Sequence, residues 1–450
     1  MGLLLGSGST KPQYPYDMWY GVQGDFTSND YRLTRVGNLD LHRTLPIQSK
    51  IKRFVENLDG SVKYYLHQND SRKKDSGSAA ILDSTDGNVM LEKPEYYFRL
   101  EIQGTKWIRA FSEYPLPGFI KMEKRSIAPW YSTIDMTDNK AVSGSWLLWD
   151  GNDIARDENG FVMLSGNAQR YRGGSGSGDA SKDGSYNSQL GMARTSISKA
   201  TIRPLCKNGT HNGSYRAYNE IAWLQRCEYA SLDCQAAYNA TLTADGYKQG
   251  GLGNGTAVSG GEWSTWGAYK PFIPCGVTAT LGNNTGIVPY IIKGWTGGDK
   301  TVQVSSYRGM EGAFEYLWLI TDDVLIQHGA TVSTAYVCED PSKFTDHSDN
   351  ATTVPEGYIA ITDLPRATGY ILQLSHSAKG AYSFPETIGG SANTGACDQF
   401  YSPMPDGSGW YGAFFGGRAY SGAGAGFGAL DSNSRSSYSF ANYGFRLCRF

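Results

Sequence analysis

From Pro46 to about Ile120 the chain alternates short apolar and polar runs, a pattern that predicts strands. SVKYYLHQ, AAILD, GNVMLEKPEYYFRLEIQG and TKWIRAFSEY are rich in β-branched and aromatic residues. Turn pairs bound them at Asp59-Gly60, Asn69-Asp70 and Asp86-Gly87, and Pro115, Pro117 and Gly118 punctuate the end of the region. WYSTIDMTDNKAVSG (Trp130–Gly144) reads as two strands around a turn at Asp138-Asn139. One segment has helical spacing. RAYNEIAWLQRCEYASLDCQAAYN sets Ile221, Leu224, Cys227 and Ala230 three apart, with Trp223 four before Cys227. Asn219 is its expected N-cap. A second, shorter helix is expected within Ser188–Ala200. Further on, TVQVSSYRGMEGAFEYLWLITDDVLIQ predicts a strand, a turn and a buried apolar strand or short helix, and YIAITDLPRATGYILQLSHS a strand pair around Pro365. Between these elements run long Gly- and Ser-rich stretches such as RYRGGSGSGDASKDGSYNSQ and GGLGNGTAVSGGEW. The fold class this implies is α+β: two or so helices beside small antiparallel sheets, with very long ordered loops. Loops of that length are usually functional.

Both ends depart from this pattern. Residues 1–45 include GSGSTKPQYPYDMWYG, which has no period, and are expected to form an arm for docking or oligomerisation. Its aromatics, Tyr14, Tyr16, Trp19 and Tyr20, pack either on another chain or on their own domain. At the other end, in NYGFRLCRF, Phe445 and Leu447 alternate with Arg446 and Cys448, which suits a half-buried strand that pins the loop before it.

Composition sharpens the picture. Charged residues are 19% of the 450, below the usual quarter or so, while Gly reaches 56 and Tyr 30. That balance favours β-structure, long loops and contact surfaces over helical bundles. A net charge of −2 supplies no field to gather nucleic acid or an anionic membrane surface. No apolar run approaches the length of a membrane span. The start, MGLLLGSGSTKPQ, lacks the basic region of a signal peptide, and Gly6 occupies the Ser/Thr position of a myristoylation signal. The seven Cys are irregularly spaced without a CxxC pair, which predicts mostly buried free thiols.

Candidate chemistry is sparse. The six His, at 42, 67, 211, 328, 347 and 376, form no HExxH or HxH spacing, so no metal site is expected and no cofactor is implied. His376 sits in SHS without a GxSxG elbow, so no triad is argued. The oxygen-rich WDGNDIARDENG lacks EF-hand spacing and reads as a solvated turn. GGSGSG has no Lys after its glycines and reads as a linker-like loop. Glu220, Glu311 and Glu315 are among many carboxylates that would serve as a hydrolytic pair, and their spacing singles none out. The segment from Ser391 to Ser437 differs in kind. Its aromatics are separated by Gly, Ser and Ala with a period of neither two nor 3.6. Large rings among small adaptable residues are the composition of a binding surface. The same composition also describes a glycine-rich loop that fills a core.

SSYRGMEGAFEYLWLITDDVLI (305–326) resembles the FRG-E-P-G segment of the C-type-lectin-like fold in its formylglycine-generating-enzyme branch, and NYGFRLCR (442–449) resembles that branch's terminal GFR strand. With EIAWLQRCEYASLDCQAAYNATLTADGYKQGGLGNG, VMLEKPEYYFRLE and SEYPLPGF, the chain is similar to variable proteins of diversity-generating retroelements and their relatives in tailed phages of gut Bacteroidetes, including crAss-like phages, over roughly residues 45–450. The resemblance implies a β-rich region at 46–125 leading into a C-type-lectin-like domain at 126–450, whose last fifty or so residues form the ligand-binding face. Carried over by position, the exposed residues of that face are Trp410, Tyr411, Phe414, Phe415, Arg418, Tyr420, Phe427 and Asp431, and the framework is Gly444, Phe445, Arg446 and Leu447.

The sequence departs from the family at two places. Cys397 and Cys448 match no reactive cysteine pair by local motif, and the EPN or QPD and WND calcium motifs of sugar-binding lectins are absent. With them goes the support for catalysis and for calcium-dependent sugar binding. The function implied is a non-enzymatic phage virion protein, a head or tail fibre or appendage, made in the host cytoplasm and displayed on the outer surface of the particle. Its expected partners are other virion structural proteins, its own copies in a homotrimer or homodimer, and a host cell-surface glycan or protein. The alternatives are a cellular variable surface adhesin of the same fold and a cysteine-dependent oxidase.

Overall fold

The computed structural model describes residues 16–176, 180–377 and 382–450; Tyr14, the side chain of Tyr16 and the end of the GGSGSG loop lie outside them. Strands dominate, thirty of them against four α-helices: Leu39–Thr44 (α1), Lys199–Ile202 (α2), Tyr215–Tyr229 (α3) and Gly260–Gly267 (α4). The expectation of an α+β, C-type-lectin-like arrangement with small sheets is therefore corrected. The protein is β-rich, and its strands join into sheets of five, seven and nine. The physical reason lies in the segments read as loops. Gly409–Gly416, in the middle of the Gly/aromatic stretch, is an internal strand paired to Trp318–His328 on one side and Gly426–Asp431 on the other. Its partners are distant in sequence, so no local turn signal announces the pairing.

The expected arm is also corrected from Tyr20 onward. Tyr20–Asp25 lies inside the antiparallel five-stranded sheet, with Tyr20 opposite Phe111 and Asp25 opposite Lys106. Trp19 and Tyr20 are buried in the protein's own core, and the Tyr20 hydroxyl donates to Gln48 Oε1 at 2.6 Å.

The helix α3 forms where the spacing predicts it, but its N-cap is Ser214, not Asn219. Ser214 Oγ accepts from Ala217 N. Asp323, from the strand Trp318–His328, accepts from the backbone N–H groups of Tyr215 and Arg216 at 2.8 and 3.0 Å. A strand carboxylate thus caps the positive end of the helix, which orients α3 against the nine-stranded sheet. The shorter helix expected within Ser188–Ala200 begins only at Lys199, as α2. Every residue of α3 except Arg216 is buried, so its polar side chains need partners inside the molecule. Glu228 accepts from Tyr307 Oη and from Arg308 Nε and Nη2 at 2.7–3.0 Å. Glu220 is ringed by Lys93 at 2.5 Å, Arg216 at 3.1 Å and Arg125 at 3.8 Å. Burial pushes its carboxyl up, and the three cations outweigh that and hold it below the usual range.

The chain's end joins the two largest sheets. Tyr443–Phe445 pairs in parallel with Trp318–His328, and two residues later Leu447–Arg449 enters the seven-stranded sheet between His211–Asn212 and Arg125–Ile127. That sheet also holds Lys52–Glu56, Val62–His67, Asp70–Lys74 and Val89–Lys93, so the regions 46–125 and 126–450 share one sheet and one core. Arg446 stands between the two strands and is almost fully buried. Its Nη1 donates to the carbonyls of Ala128 and Pro129, and its Nη2 to those of Glu311 and Gly312, at 2.6–3.2 Å. Its guanidinium lies 4.3 Å from the Tyr131 ring centre. Gly444 makes the approach possible, since a Cβ there would fall 2.8 Å from the Tyr131 ring.

Truncating either apolar residue of this end opens a cavity. Phe445→Ala and Leu447→Ala should each cost ~2–5 kcal/mol, read as a lower denaturation midpoint; a midpoint within error of the parent's would show that the end does not pin the fold. Glu315, wholly buried with neither carboxylate oxygen hydrogen-bonded among the described residues, is pushed by burial up to about 9. Its contribution to stability is complete below its ordinary value near 4.5 and is lost as pH rises toward about 9. Glu315→Gln should therefore raise the melting temperature relative to the parent at about pH 8 and leave the difference small at about pH 5; equal shifts at both would contradict a buried neutral carboxyl.

Candidate ligand-contact face

The Gly/aromatic segment does not present the rings assigned to its face. Trp410, Phe414, Phe415 and Phe427 are at most 1% exposed and Tyr411 6%. The strand Gly409–Gly416 is covered on both sides, so its neighbouring side chains enter separate parts of the core. Phe415 stacks on Tyr215 of α3 with ring centres 3.8 Å apart, while Phe414 meets Tyr443 edge-on at 4.7 Å. Trp410 packs against Tyr336 and His347 and donates its indole N–H to the Ala351 carbonyl. Tyr411 lies against His328 and beneath the Arg435 guanidinium. Phe427 packs on Tyr218 and Phe314. The expectation that these five rings are exposed contact residues is corrected: they hold the sheet together. Gly444, Phe445, Arg446 and Leu447 lie in the clasp described above.

Of the remaining three, Arg418 and Tyr420 are half-buried, while Asp431 is buried, which corrects its expected exposure. A recess of about 170 Å³ is lined by Arg418 and Asp431 with Trp318, Tyr401, Asn433, Ser434, Tyr438, Phe440 and Tyr443. Asp431, at the end of its strand, accepts from Tyr443 Oη and from Asn433 N, both at 2.7 Å. Burial pushes its carboxyl up, against those two hydrogen bonds. Arg418 lays its guanidinium over the Tyr420 ring at 4.1 Å, and its Nε is buried without a hydrogen-bond partner among the described residues. The indole N–H of Trp318 is likewise unpartnered. Both residues line the recess, and each keeps a buried donor that no described protein group satisfies.

The rim carries rings that sequence reasoning missed. Tyr438 and Phe440 are each 39% exposed and lie nearly parallel, with centres 6.2 Å apart. Phe440 touches Tyr269, which touches Tyr420, so the aromatic surface runs from the recess toward α4. The signal was present: in SSYSFANYG the rings at 438 and 440 are two apart and flanked by Ser, which in extended chain puts both on one side. The stretch is tied down at both ends. Arg435 Nη1 donates to the carbonyls of Ser408 and Trp410, and Tyr443 is in the sheet. Held this way, the rings lose little freedom on contact.

The residues weighed for catalysis are dispersed. Glu220 lies in its cation ring, and Glu311 accepts from the backbone N–H groups of Gly276 and Thr278. Cys397 and Cys448 are buried, free, and not at the recess, and burial pushes both thiols up. Among the described residues no helix is long and apolar enough to cross a membrane.

No family model matches the chain, and no curated protein matches it. Among solved structures, "Major Tropism Determinant U1 Variant" is similar at 14% identity over 79% of this chain and 71% of that one, with a TM-score of 0.21. An overlap that loose carries neither fold nor function to this protein.

Proposed function

We propose that this protein is an outer-surface component of a phage virion, a head or tail fibre or appendage, and that the recess at Arg418 with its Tyr438 and Phe440 rim contacts a glycan or protein on the host cell. The reading rests on the sequence resemblance to phage and retroelement variable proteins over roughly residues 45–450 and on one structural observation. Two half-exposed, pre-ordered rings stand beside unpartnered Arg418 and Trp318 donors at the end of the chain. Rings that stack on apolar faces, next to donors that take hydroxyl or carbonyl oxygens, suit a saccharide or a peptide edge. The recess is smaller than the ~300 Å³ at which drug-sized ligand pockets begin, so it takes one group of a larger partner. Affinity from such a contact is weak, and a homotrimer or homodimer on a particle multiplies it by avidity.

The test is competition for host cells. Purified protein should slow phage adsorption, and Tyr438→Ala with Phe440→Ala should abolish that competition while leaving the melting temperature within a few degrees. Arg418→Gln should weaken competition by roughly tenfold, the loss of a single charge-assisted hydrogen bond. Undiminished competition by the double variant would remove this face from the proposal. Trp410→Ala serves as the contrast: it should unfold or strongly destabilise the protein, because its ring is in the core.

A further inference from the structure

A second cavity, sharing no residue with that recess, lies between the loops of residues 156–169 and 184–192 and the strand Gly286–Trp295. It encloses about 340 Å³, within the size range of small-ligand sites. Its floor is apolar: Phe272, Tyr290 and Ile292 are buried, and Leu190 and Met192 nearly so. Phe161 and Tyr186 form one wall, edge to face at 4.8 Å, with the Tyr186 hydroxyl donating to the Asn159 carbonyl. This wall is built in. Gly294 adopts a left-handed φ of +59°, and a Cβ there would fall 2.4 Å from the Tyr186 ring.

The polar groups are few and of one kind. Arg156 donates from Nη1 to the Gly160 carbonyl and from Nη2 to the Ile291 carbonyl, which holds the guanidinium in the wall over the Tyr290 ring. Among the described residues no carboxylate comes within ion-pair distance of it, whereas Lys293 beside it is paired with Asp299 at 2.6 Å. Ser165 Oγ, from a residue lining the cavity, is buried with no hydrogen-bond partner among the described residues. A fixed cation without a direct ion pair, Asp299 acting on it only at longer range, and a hydroxyl without a described partner, in an aromatic chamber, complement a ligand with a flat apolar body and one anionic group.

We infer that this cavity is a binding site for a small amphipathic organic anion, an aromatic or similarly flat apolar carboxylate or sulfonate. It is independent of the host-contact reading, since its residues and those of the Arg418 recess do not overlap.

Two dyes that share one ring system test it on the full chain: 1-anilinonaphthalene-8-sulfonate, which is anionic, and N-phenyl-1-naphthylamine, which is neutral. Both should bind saturably with one site per chain. Filling the cavity with Val162→Trp should abolish both, and Leu164→Trp serves as an independent filler if the first variant does not fold. Arg156→Gln should weaken the sulfonate at least tenfold and leave the neutral dye within twofold, while Arg156→Lys retains most of the difference. Sulfonate binding that survives both fillers, or an Arg156→Gln effect equal for the two dyes, would overturn the assignment. Loss of dye binding with host-cell competition intact would leave the surface reading standing, and the reverse would leave this one.

Discussion

A buried guanidinium with no ion-pair contact among the described residues, and Glu311's charge acting on it only at longer range, organises this molecule. Arg446 donates to four backbone carbonyls, two from the Ala128-Pro129 corner and two from the Glu311-Gly312 turn, and those segments approach one another through it. A buried charge costs several kcal/mol to desolvate, on the order of what one side chain contributes to a fold. Here the cost is offset by four hydrogen bonds to backbone carbonyls, of which Pro129's also accepts from Glu311 N at 2.9 Å. The strands on either side of Arg446 enter different sheets, so one residue couples the nine-stranded sheet to the seven-stranded one.

That coupling decides what the Gly/aromatic segment is for. With Trp318–His328 held on one flank by Tyr443–Phe445, its other flank takes Gly409–Gly416 as an internal strand. The covering elements are α3 on one face and the terminal segment on the other, which leaves no solvent side for Phe414 or Phe415. What the segment leaves exposed is the short stretch between the Arg435 strap and Tyr443. There the backbone has left the sheet but is still anchored, and Tyr438 and Phe440 are held half out. A rigid core and a small tethered outcrop are two consequences of one clasp.

Much of the secondary structure was legible. The strands Val62–His67, Val89–Lys93, Tyr96–Gln103 and Lys106–Ser112, the hairpin around Asp138-Asn139, the helix over Tyr215–Tyr229 and the terminal strand carry their period in the residues themselves, whereas AAILD, read as a strand, forms none. The errors share a cause. Asn219 looked like an N-cap because the true cap, Ser214, gains its second partner from Asp323, more than a hundred residues away. Residues 20–25 looked like an arm because, besides nearby Thr34–Gly37, the strand that draws them into the sheet is distant Lys106–Ser112. Glu311 and Glu315 looked like equivalent carboxylates, yet one meets backbone donors from Gly276 and Thr278 and the other meets none.

The sequence by itself determined where the chain turns, which segments extend, where one long helix lies, and that the end is a strand with an arginine between two apolar residues. These are local properties, set by backbone preference and by residues within a turn or two. Only the tertiary structure decided which aromatic rings face water. A strand buried on both faces reads as a nearly continuous apolar run, and glycines that let sheets approach closely interrupt even that. Nothing in WYGAFFG distinguishes a displayed patch from a core, because the difference lies in what covers it, and the covers are α3 and the last eight residues of the chain.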